Sequence, residues 1–414
     1  MSKFVLEDVP VDFATEQLQG ELSIQQDDSG RLGLSIAFDA GNYEGSAPIK
    51  AVPGFSPAVT IEPAYYNGHY NEGGRESFIK VQAPSVVIEY EPGIDPSELV
   101  SVRYELAGER RDVFGCNLVF DNRSWRFDVK WDPYCYGKAL HEGVDYVPLE
   151  AALITQQLPY GQIDSATETV RKVLPCLSFA LGGMVGLARM EIFATGAKPV
   201  KQVLFNLGDP ERRSRPPVPI DQVAKFVQWA YPRLGELEHK LKFSNLLRLI
   251  VWARNEYVFE LQALNLAGVL EFLRYQFASN FLVPSGKAKR VGDRFVKMKS
   301  GQPVSRKNKN GKEIEVIWSF AEIHREMVKE FQLSRWDKDK FTNFRNSIVH
   351  SFTVPGSDGD SKIDASNEVM HYCDTLVLAA LDWDKCVYRN RFPGHKFVVT
   401  RPPDSTRLFG PLPV

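Results

Sequence analysis

An arginine and a histidine near the C-terminal end have the types and spacing needed for acid–base chemistry on a phosphate. Residues 345–350 are Arg-Asn-Ser-Ile-Val-His, so that Asn346 follows Arg345 directly and His350 lies five positions after Arg345. A histidine can take the proton of a ribose 2′-hydroxyl, which then attacks the adjacent phosphorus, while an arginine stabilises the charge on the phosphate oxygens. Neither of these roles requires a metal ligand.

The specificity of this pattern depends on the asparagine. The looser form, Arg followed four to six residues later by His, occurs three times, at Arg233/His239, Arg345/His350 and Arg389/His395. The third pair encloses Pro393-Gly394, which a regular helix does not hold, and the first encloses Gly235 and lacks the asparagine. Requiring Asn after Arg and a spacing of five reduces the chance expectation to roughly 0.02 matches per chain. Only the pair at Arg345 meets this requirement.

The motif is expected to lie on an amphipathic helix over residues 341–352. On a helix, Asn346 and His350 are four positions apart and share a face, and the long Arg345 side chain can reach toward that face. An apolar stripe of Phe344, Ile348 and Phe352 would anchor the other side of the helix. Ordinary surface residues on a helix remain the alternative interpretation of the motif.

The elements before this helix predict two kinds of structure. Short alternating runs at residues 21–24, 32–38, 77–81 and 86–90 predict strands, and residues 117–120 and 124–129 flank a turn typical of a hairpin. A helix with Asp164 as N-cap is expected over residues 164–174. After a Pro- and Arg-rich linker the apolar period becomes helical, and helices are predicted at residues 221–231, 234–261, 262–283, 315–333, 337–351 and 364–391.

We therefore predict an α+β protein of two domains. A β-rich N-terminal domain, sandwich or barrel-like, spans residues 1–205 and has a sensing or regulatory role. A linker covers residues 206–220. An all-α helical bundle spans residues 221–392, and a C-terminal tail covers residues 393–414.

A strongly basic segment, residues 285–312, interrupts the predicted helices. It holds ten Lys and Arg and one acid, Asp293, for a net charge of +9 in a chain whose 50 basic and 52 acidic residues otherwise balance. It could be a solvated, flexible insertion. We favour an electrostatic arm for RNA phosphates, which would bind without reading base sequence. The proposed RNA-binding residues are Lys287, Lys289, Arg290, Arg294, Lys297, Lys299, Arg306, Lys307 and Lys309.

Another histidine, His324, lies between Glu322 and Glu326. It could stabilise the side chains of the motif without contacting the substrate itself. The favoured interpretation is that it lies on a surface helix face with paired charges.

Composition limits the class of protein. Five scattered cysteines, odd in number and without a C-x-x-C pair, predict neither a disulfide framework nor a zinc site. The N-terminal residues lack an apolar signal segment, and the longest apolar run, residues 173–188, falls short of the roughly 20 needed to span a bilayer. We expect a cytoplasmic protein without membrane association, and neither a metal nor another cofactor.

Arg345-Asn346 and His350, on a late helix of a helical segment, resemble the signature of the HEPN superfamily, which includes metal-independent ribonucleases. The two helical runs over residues 245–261 and 262–281 are similar to helices of that family, and residues 268–273 (Gly-Val-Leu-Glu-Phe-Leu) resemble an apolar-Glu-apolar stretch of its second helix. In layout the chain resembles the Apea-like HEPN proteins of bacterial anti-phage defence. The helical resemblance covers roughly residues 221–391.

The resemblance implies a homodimer that juxtaposes two copies of the motif across a two-fold axis. It implies that His350 is the general acid or base, that Arg345 binds the scissile phosphate, and that Asn346 orients one of them. It further implies a toxin-like effector that cleaves cellular RNA, with transfer RNA as one candidate, once the N-terminal domain senses a trigger ligand or a phage protein. The alternative is a non-catalytic HEPN scaffold that binds a nucleotide or dimerises, joined to a ligand- or protein-binding β-domain.

Overall fold

The computed structural model of the chain shows a mixed α+β fold with strands in the N-terminal region and helices in the C-terminal part. It divides into two compact units, one of Met1–Leu174 and Val185–Arg212 and the other of Pro175–Met184 and Arg213–Val414. The structure describes residues 2–13, 16–26, 32–38, 45–46, 49–51, 58–61, 65–69, 77–82, 85–91, 93–108, 116–120, 123–130, 150–155, 157–194, 198–205, 217–218, 222–256, 258–331, 338–383, 386–388 and 396–398.

The described strands of the first unit pair antiparallel in one continuous order. Along the sheet this order is β11-β12-β13-β10-β15-β16-β9-β6-β5-β1-β2-β3-β8-β7-β4, and β14 pairs with β10. The strands are β1 Ser2–Phe13, β2 Glu16–Gln26, β3 Leu32–Phe38, β4 Gly45–Ser46, β5 Ile49–Ala51, β6 Ala58–Ile61, β7 Tyr65–His69, β8 Ser77–Gln82, β9 Ser85–Glu89, β10 Leu99–Gly108, β11 Cys116–Phe120, β12 Arg123–Lys130, β13 Glu150–Thr155, β14 Leu158–Pro159, β15 Val185–Phe193 and β16 Lys201–Phe205.

The strands predicted from alternation are confirmed. The runs at residues 21–24, 32–38, 77–81 and 86–90 lie within or largely within β2, β3, β8 and β9, and the predicted hairpin is the antiparallel pair β11–β12. In β9 every second residue is buried, which is the pattern of a strand with one face against a core.

A helix packs on this sheet through polar as well as apolar contacts. Helix α1, Ile163–Leu181, buries Ala166, Val170 and Val173. Its Thr167 hydroxyl lies 3.1 Å from the Tyr104 hydroxyl of β10. Asp164 lies in the first turn of the helix and is not its N-cap, because α1 already begins at Ile163.

The second unit contains six of the seven α-helices found among the described residues, together with the end of α1. These helices are α2 Val223–Leu241, α3 Phe243–Asn255, α4 Phe259–Phe277, α5 Phe320–Glu330, α6 Lys338–Ser351 and α7 Gly359–Ala380. A single π-helical turn, Ala278–Leu282, extends α4. No described helix combines the length and apolar character needed to cross a membrane.

Helix boundaries differ from the predicted ones where a proline or a cap decides them. Helix α2 continues through Pro232, whose side chain is exposed. The helix is not interrupted there because its buried face continues on both sides of the proline, with Phe226, Val227, Leu237 and Leu241. The helix ends instead at Leu241, and the next residue, Lys242, has a φ of +49°. Helix α5 begins at Phe320 and not at residue 315, because Ser319 and Glu322 form a capping box there.

The prediction of an all-α second domain is wrong for the basic segment. Residues 288–315 fold into short antiparallel strands, which we call the basic module. The strands are β17 Ala288–Val291, β18 Arg294–Lys299, β19 Gln302–Pro303, β20 Ser305–Lys307 and β21 Glu313–Glu315. Tight turns connect them: Gly292 has a φ of +58°, and Ser300 and Gly301 have φ values of +50° and +77°.

The C-terminal end also differs from its prediction. Helix α7 ends at Ala380, and two short strands, β22 Cys386–Tyr388 and β23 Lys396–Val398, pair after it. Of the predicted linker only residues 217–218 are described, and of the predicted tail only residues 396–398, so the rest of both predictions lies outside the described residues. The predicted domain bounds stay a prediction.

Candidate active site

The motif lies on α6, which the sequence placed within one residue of its observed ends. Phe341, Phe344 and Ile348 are buried and form the anchoring stripe of this helix, since they recur at positions i, i+3 and i+7. The Phe341 ring stacks on the Tyr372 ring of α7 with their centroids 4.0 Å apart.

One member of the predicted stripe is not part of it. Phe352 is 75% exposed and has a φ of +51°. It follows the last helical residue, Ser351, and the change of backbone conformation takes its ring away from the buried face. Prediction from helical periodicity failed here because the helix ends one residue earlier.

Arg345 is fixed by three neighbours. Its Nε and Nη2 atoms both lie 2.5 Å from Oε1 of Glu271 on α4. Its Nη1 donates to Oδ1 of Asn346 at 2.9 Å, and its guanidinium carbon lies 5.3 Å from the centre of the Phe320 ring on α5. The guanidinium therefore has a defined position against α4 and α5.

The structure brings Asn346 to Arg345, and no hydrogen bond joins it to His350 among the described side chains. The asparagine was predicted to orient either His350 or the phosphate. In the observed arrangement its amide oxygen accepts a hydrogen bond from the arginine, so it helps hold the cation of the motif.

His350 lies on the last turn of α6 and is exposed. It makes no hydrogen bond or ion pair with a side chain in the part of the chain that the structure describes. Its ring is therefore accessible to a ligand from solvent, next to the turn of helix that carries Arg345.

Glu271 contacts the motif, although the sequence assigned it no role. Its second carboxylate oxygen, Oε2, accepts a hydrogen bond of 2.6 Å from Arg274 on the same helix. Two guanidinium groups thus share one carboxylate, so the cluster keeps a net positive charge. The available signal was a single glutamate in the apolar stretch 268–273, but its partner is 74 positions away in sequence.

The surface interpretation of His324 is wrong, because this side chain is only 2% exposed. Its Nδ1 lies 3.1 Å from the Tyr372 hydroxyl and its Nε2 lies 3.4 Å from the carbonyl oxygen of Leu270. Since a carbonyl only accepts, Nε2 carries the proton and Nδ1 accepts from the tyrosine. Burial lowers the pKa of His324 to about 3, so the ring is neutral at physiological pH.

The position of His324 links it to the motif. Leu270, whose carbonyl it contacts, precedes Glu271 directly, and the His324 ring lies 4.2 Å from the Phe320 ring. Glu271 and Phe320, which hold the Arg345 guanidinium from other helices, are therefore both close to His324. Phe320 contacts the histidine ring, and Glu271 follows the residue whose carbonyl the histidine contacts.

The basic module has a small core of its own. Ala288, Phe295 and Val296 are buried, and the Phe295 ring packs edge-on against Tyr275 of α4 with a centroid distance of 5.7 Å. The segment is therefore folded and packed on α4, which the alternative of a flexible insertion did not anticipate.

The predicted RNA-binding residues fall into two groups. Lys287 forms an ion pair of 3.0 Å with Glu326, and Lys297 forms one with Glu322. Partial burial opposes ionisation of Glu322, but hydrogen bonds from Lys297 and Ser319 lower its pKa to about 2. The other cations are exposed and have no carboxylate partner among the described residues: Lys289, Arg290, Arg294, Lys299, Arg306, Lys307 and Lys309.

The segment that precedes α5 joins the basic module to the motif. The Trp318 indole donates to the carbonyl oxygen of Lys287 at 3.2 Å, and the Lys297 ammonium lies 5.0 Å from the centre of that ring. Two residues later, Phe320 lies under the Arg345 guanidinium. A short run of chain therefore contacts the module on one side and the arginine on the other.

A cleft of about 400 Å³ lies between α6 and α7, but the motif does not line it. Its walls include Phe341, Asn343, Asp364 and Glu368. Among the described residues, no group of three or more His, Cys, Asp or Glu side chains could hold a metal ion. Comparison of the chain with protein-family models, with curated proteins and with solved structures found no match.

Proposed function

We propose that the protein is a HEPN-type endoribonuclease whose active site is the motif on α6. The proposal rests on the resemblance of Arg345, Asn346 and His350 to the HEPN signature and on one observation. That observation is a guanidinium held by Glu271, Asn346 and Phe320 on the same helix as an exposed histidine. Preorganised cations beside a free acid–base group are what phosphoryl chemistry needs.

The reaction is transesterification within the RNA chain. His350 takes the proton of a 2′-hydroxyl, whose oxygen attacks the adjacent phosphorus, and the bond to the 5′-oxygen breaks. The products are a 2′,3′-cyclic phosphate and a 5′-hydroxyl, the latter after a proton reaches the leaving oxygen. Arg345 retains N–H groups on both Nη atoms, which can donate to the non-bridging oxygens as their charge grows.

Protonation of the leaving oxygen requires a second acid, and a homodimer would supply it as a second His350. Helix α4 offers a suitable surface. Leu261 and Leu264 are 46% and 39% exposed, Gly268 is exposed, and the three recur at i, i+3 and i+7. The next turn of this face carries Glu271, so a second copy packed on it about a two-fold axis would bring the two motifs together.

Gly268 allows a sharp test of the dimer. A side chain at this position meets no atom within 4 Å in the isolated chain. Gly268→Arg should therefore fold normally but block close packing on α4, and should give a monomer in analytical ultracentrifugation with loss of cleavage. Gly268→Ala is the matched control and should remain dimeric. A dimeric Gly268→Arg variant would refute this interface.

The basic module supplies the electrostatic part of RNA binding in this proposal. Its exposed cations are attached to the motif through Trp318 and Phe320, so that phosphates flanking the scissile one can contact them. Lys287 and Lys297 have carboxylate partners, so we expect them to contribute less than the cations without such a partner.

The N-terminal β-rich region, for which a sandwich or barrel is still expected, is proposed to sense a trigger ligand or a phage protein. In this proposal the protein is a cytoplasmic, toxin-like effector of anti-phage defence, with transfer RNA as one candidate substrate. The resemblance to the Apea-like HEPN proteins supports this role, while the site itself supports only RNA cleavage.

A non-catalytic scaffold is the second candidate, and one observation favours it. Glu271 neutralises part of the charge of Arg345, which also suits a purely structural ion pair. In that case Arg345→Ala would impair folding or dimerisation without removing a cleavage activity.

The decisive test is incubation of total RNA and transfer RNA in EDTA with the wild type, His350→Ala and His239→Ala. His239 is the matched control, because it is exposed on α2 and follows an arginine at nearly the same spacing. Cleavage by the wild type and His239→Ala but not by His350→Ala, with 2′,3′-cyclic ends, would support the proposal. Equal cleavage by all three would refute it.

A further inference from the structure

The residue two positions after His350 is a phenylalanine with two unusual properties. Phe352 is the most exposed of the large apolar side chains described, and its left-handed backbone conformation is disfavoured for any residue with a Cβ. Glycine is the residue that helices most often place at such a position. The chain thus keeps an aromatic ring in solvent at a place where the backbone favours no side chain.

The ring lies at the C-terminal end of α6, two residues after His350 of the motif. The Phe352 N–H still bonds to the carbonyl oxygen of Ile348, so its backbone continues the turn of α6. Arg345, Val349 and Phe352 are at i, i+4 and i+7, and Val349 is 39% exposed. Val349 and Phe352, which flank His350 in the sequence, thus form an exposed apolar strip at this end of the helix.

We propose that Phe352 stacks on an unpaired nucleobase next to the scissile phosphate, with Val349 as its apolar neighbour. This inference rests on the proposed function and gives its substrate class, RNA whose bases are not in a duplex. A flat ring suits the π-face of any base, and stacking of bases on aromatic side chains is the usual way in which proteins bind unpaired RNA. The nearby cations, Arg345 and the basic module, fit the phosphates of the same strand.

A nucleobase suits this strip better than a second copy of the chain does. The surface proposed for dimerisation consists of Leu261, Leu264 and Gly268 on α4. Phe352 lies at the C-terminal end of another helix, α6. Arg345 and His350 lie on the same helix as this strip, and a protein interface that covered the helix would have to desolvate them.

The test separates binding from cleavage by using His350→Ala as the background. The probe is a short single-stranded oligoribonucleotide containing 2-aminopurine, whose fluorescence is quenched on stacking, compared with a blunt RNA duplex. Phe352→Gly and Phe352→Trp are added to this background. Ile363→Ala is the matched control, because Ile363 is another exposed apolar residue, 42% exposed, on α7.

We expect Phe352→Gly to weaken binding of the single strand about 5- to 150-fold and to abolish the quenching, while Phe352→Trp and Ile363→Ala keep both. The glycine variant should also unfold at an unchanged or higher temperature, because it relieves the left-handed conformation. A loss of RNA affinity without a loss of stability cannot come from misfolding.

Three results would overturn the inference, and each has a different meaning. Undiminished binding and quenching in Phe352→Gly would reject the stacking role while the ribonuclease proposal stands. A shift of Phe352→Gly to a smaller assembly in ultracentrifugation, with unchanged RNA affinity, would assign the ring to an interface between copies. Absence of RNA binding by every variant and by the wild type would reject the proposed function itself, and this inference with it.

Discussion

Arg345 and Glu271 meet at a single oxygen: the Nε and Nη2 atoms of the arginine both lie 2.5 Å from Oε1 of the glutamate. The pair connects the motif helix α6 to α4, and about a fifth of the arginine side chain remains exposed. A partly exposed pair of this kind contributes little to stability but can fix the direction of the guanidinium.

Replacement of Glu271 by glutamine should therefore reduce activity more than stability. We expect kcat/KM on a fluorogenic oligoribonucleotide to fall roughly 10- to 100-fold, because the guanidinium loses its orientation toward the phosphate. The free energy of unfolding should change by less than about 1 kcal/mol. Glu260→Gln, an exposed acid on the first turn of the same helix, should leave kcat/KM unchanged. A Glu271→Gln variant of full activity would show that Asn346 and Phe320 hold Arg345 unaided.

The buried His324 should make stability depend on pH. Its folded pKa, about 3, lies below the ordinary histidine value of 6.5, so the unfolded chain binds more protons between these values. The stabilising effect of the neutral ring is complete above pH 6.5 and is lost as the pH falls toward 3. The free energy of unfolding should thus decrease by up to about 1.4 kcal/mol per pH unit below 6.5.

Urea titrations at several pH values between 7 and 4 measure this slope. In His324→Gln the slope below pH 6.5 should be shallower than in the wild type, since glutamine does not titrate. His239→Gln, which removes an exposed histidine, should leave the slope unchanged. Identical slopes in the wild type and His324→Gln would indicate that other groups dominate the acid sensitivity.

The salt dependence of RNA binding should differ between the cations of the basic module that have a carboxylate partner and those that have none. Neutralising Lys289 and Arg294 together should reduce the slope of log K for single-stranded RNA against log salt by about 1.4, which is ~0.7 per phosphate contact. Lys287→Ala should have less effect, because that lysine already has Glu326 as its partner. A reduction of about 0.7 in Lys287→Ala, the same per cation as in the double variant, would mean that the ion pair of Lys287 with Glu326 opens on binding.

Local sequence signals predicted local structure well. The antiparallel hairpin β11–β12 and the helix of the motif were placed correctly because turn residues and apolar periodicity determine them. The strands of the basic module were missed, although Gly292-Asp293 and Ser300-Gly301 are the residue pairs of two-residue hairpin turns. The alternation of apolar and polar residues that marks a strand was not visible there, because lysine and arginine occupy both faces of these strands.

Only part of the candidate site could be predicted from the sequence. Arg345, Asn346 and His350 are close in sequence, so a motif can identify them together. Glu271, Phe320 and His324 join them only through the packing of α4, α5 and α6, which no spacing in the chain encodes. His324 shows the same limit: its charged neighbours suggested a surface, whereas the fold buries it between Leu270 and Tyr372.

The ion pair of Arg254 and Asp374 should be the most sensitive charged contact of the second unit. It joins α3 to α7, and the two side chains are only 1% and 4% exposed. Arg254→Met should lower the free energy of unfolding by about 3–5 kcal/mol, because it leaves a buried carboxylate without a cation. The double variant Arg254→Met, Asp374→Leu should recover much of this loss, since neither charge then remains in the core. Urea unfolding of the two variants and the wild type measures both effects, and a double variant no more stable than Arg254→Met would show that packing, not the stranded charge, causes the loss.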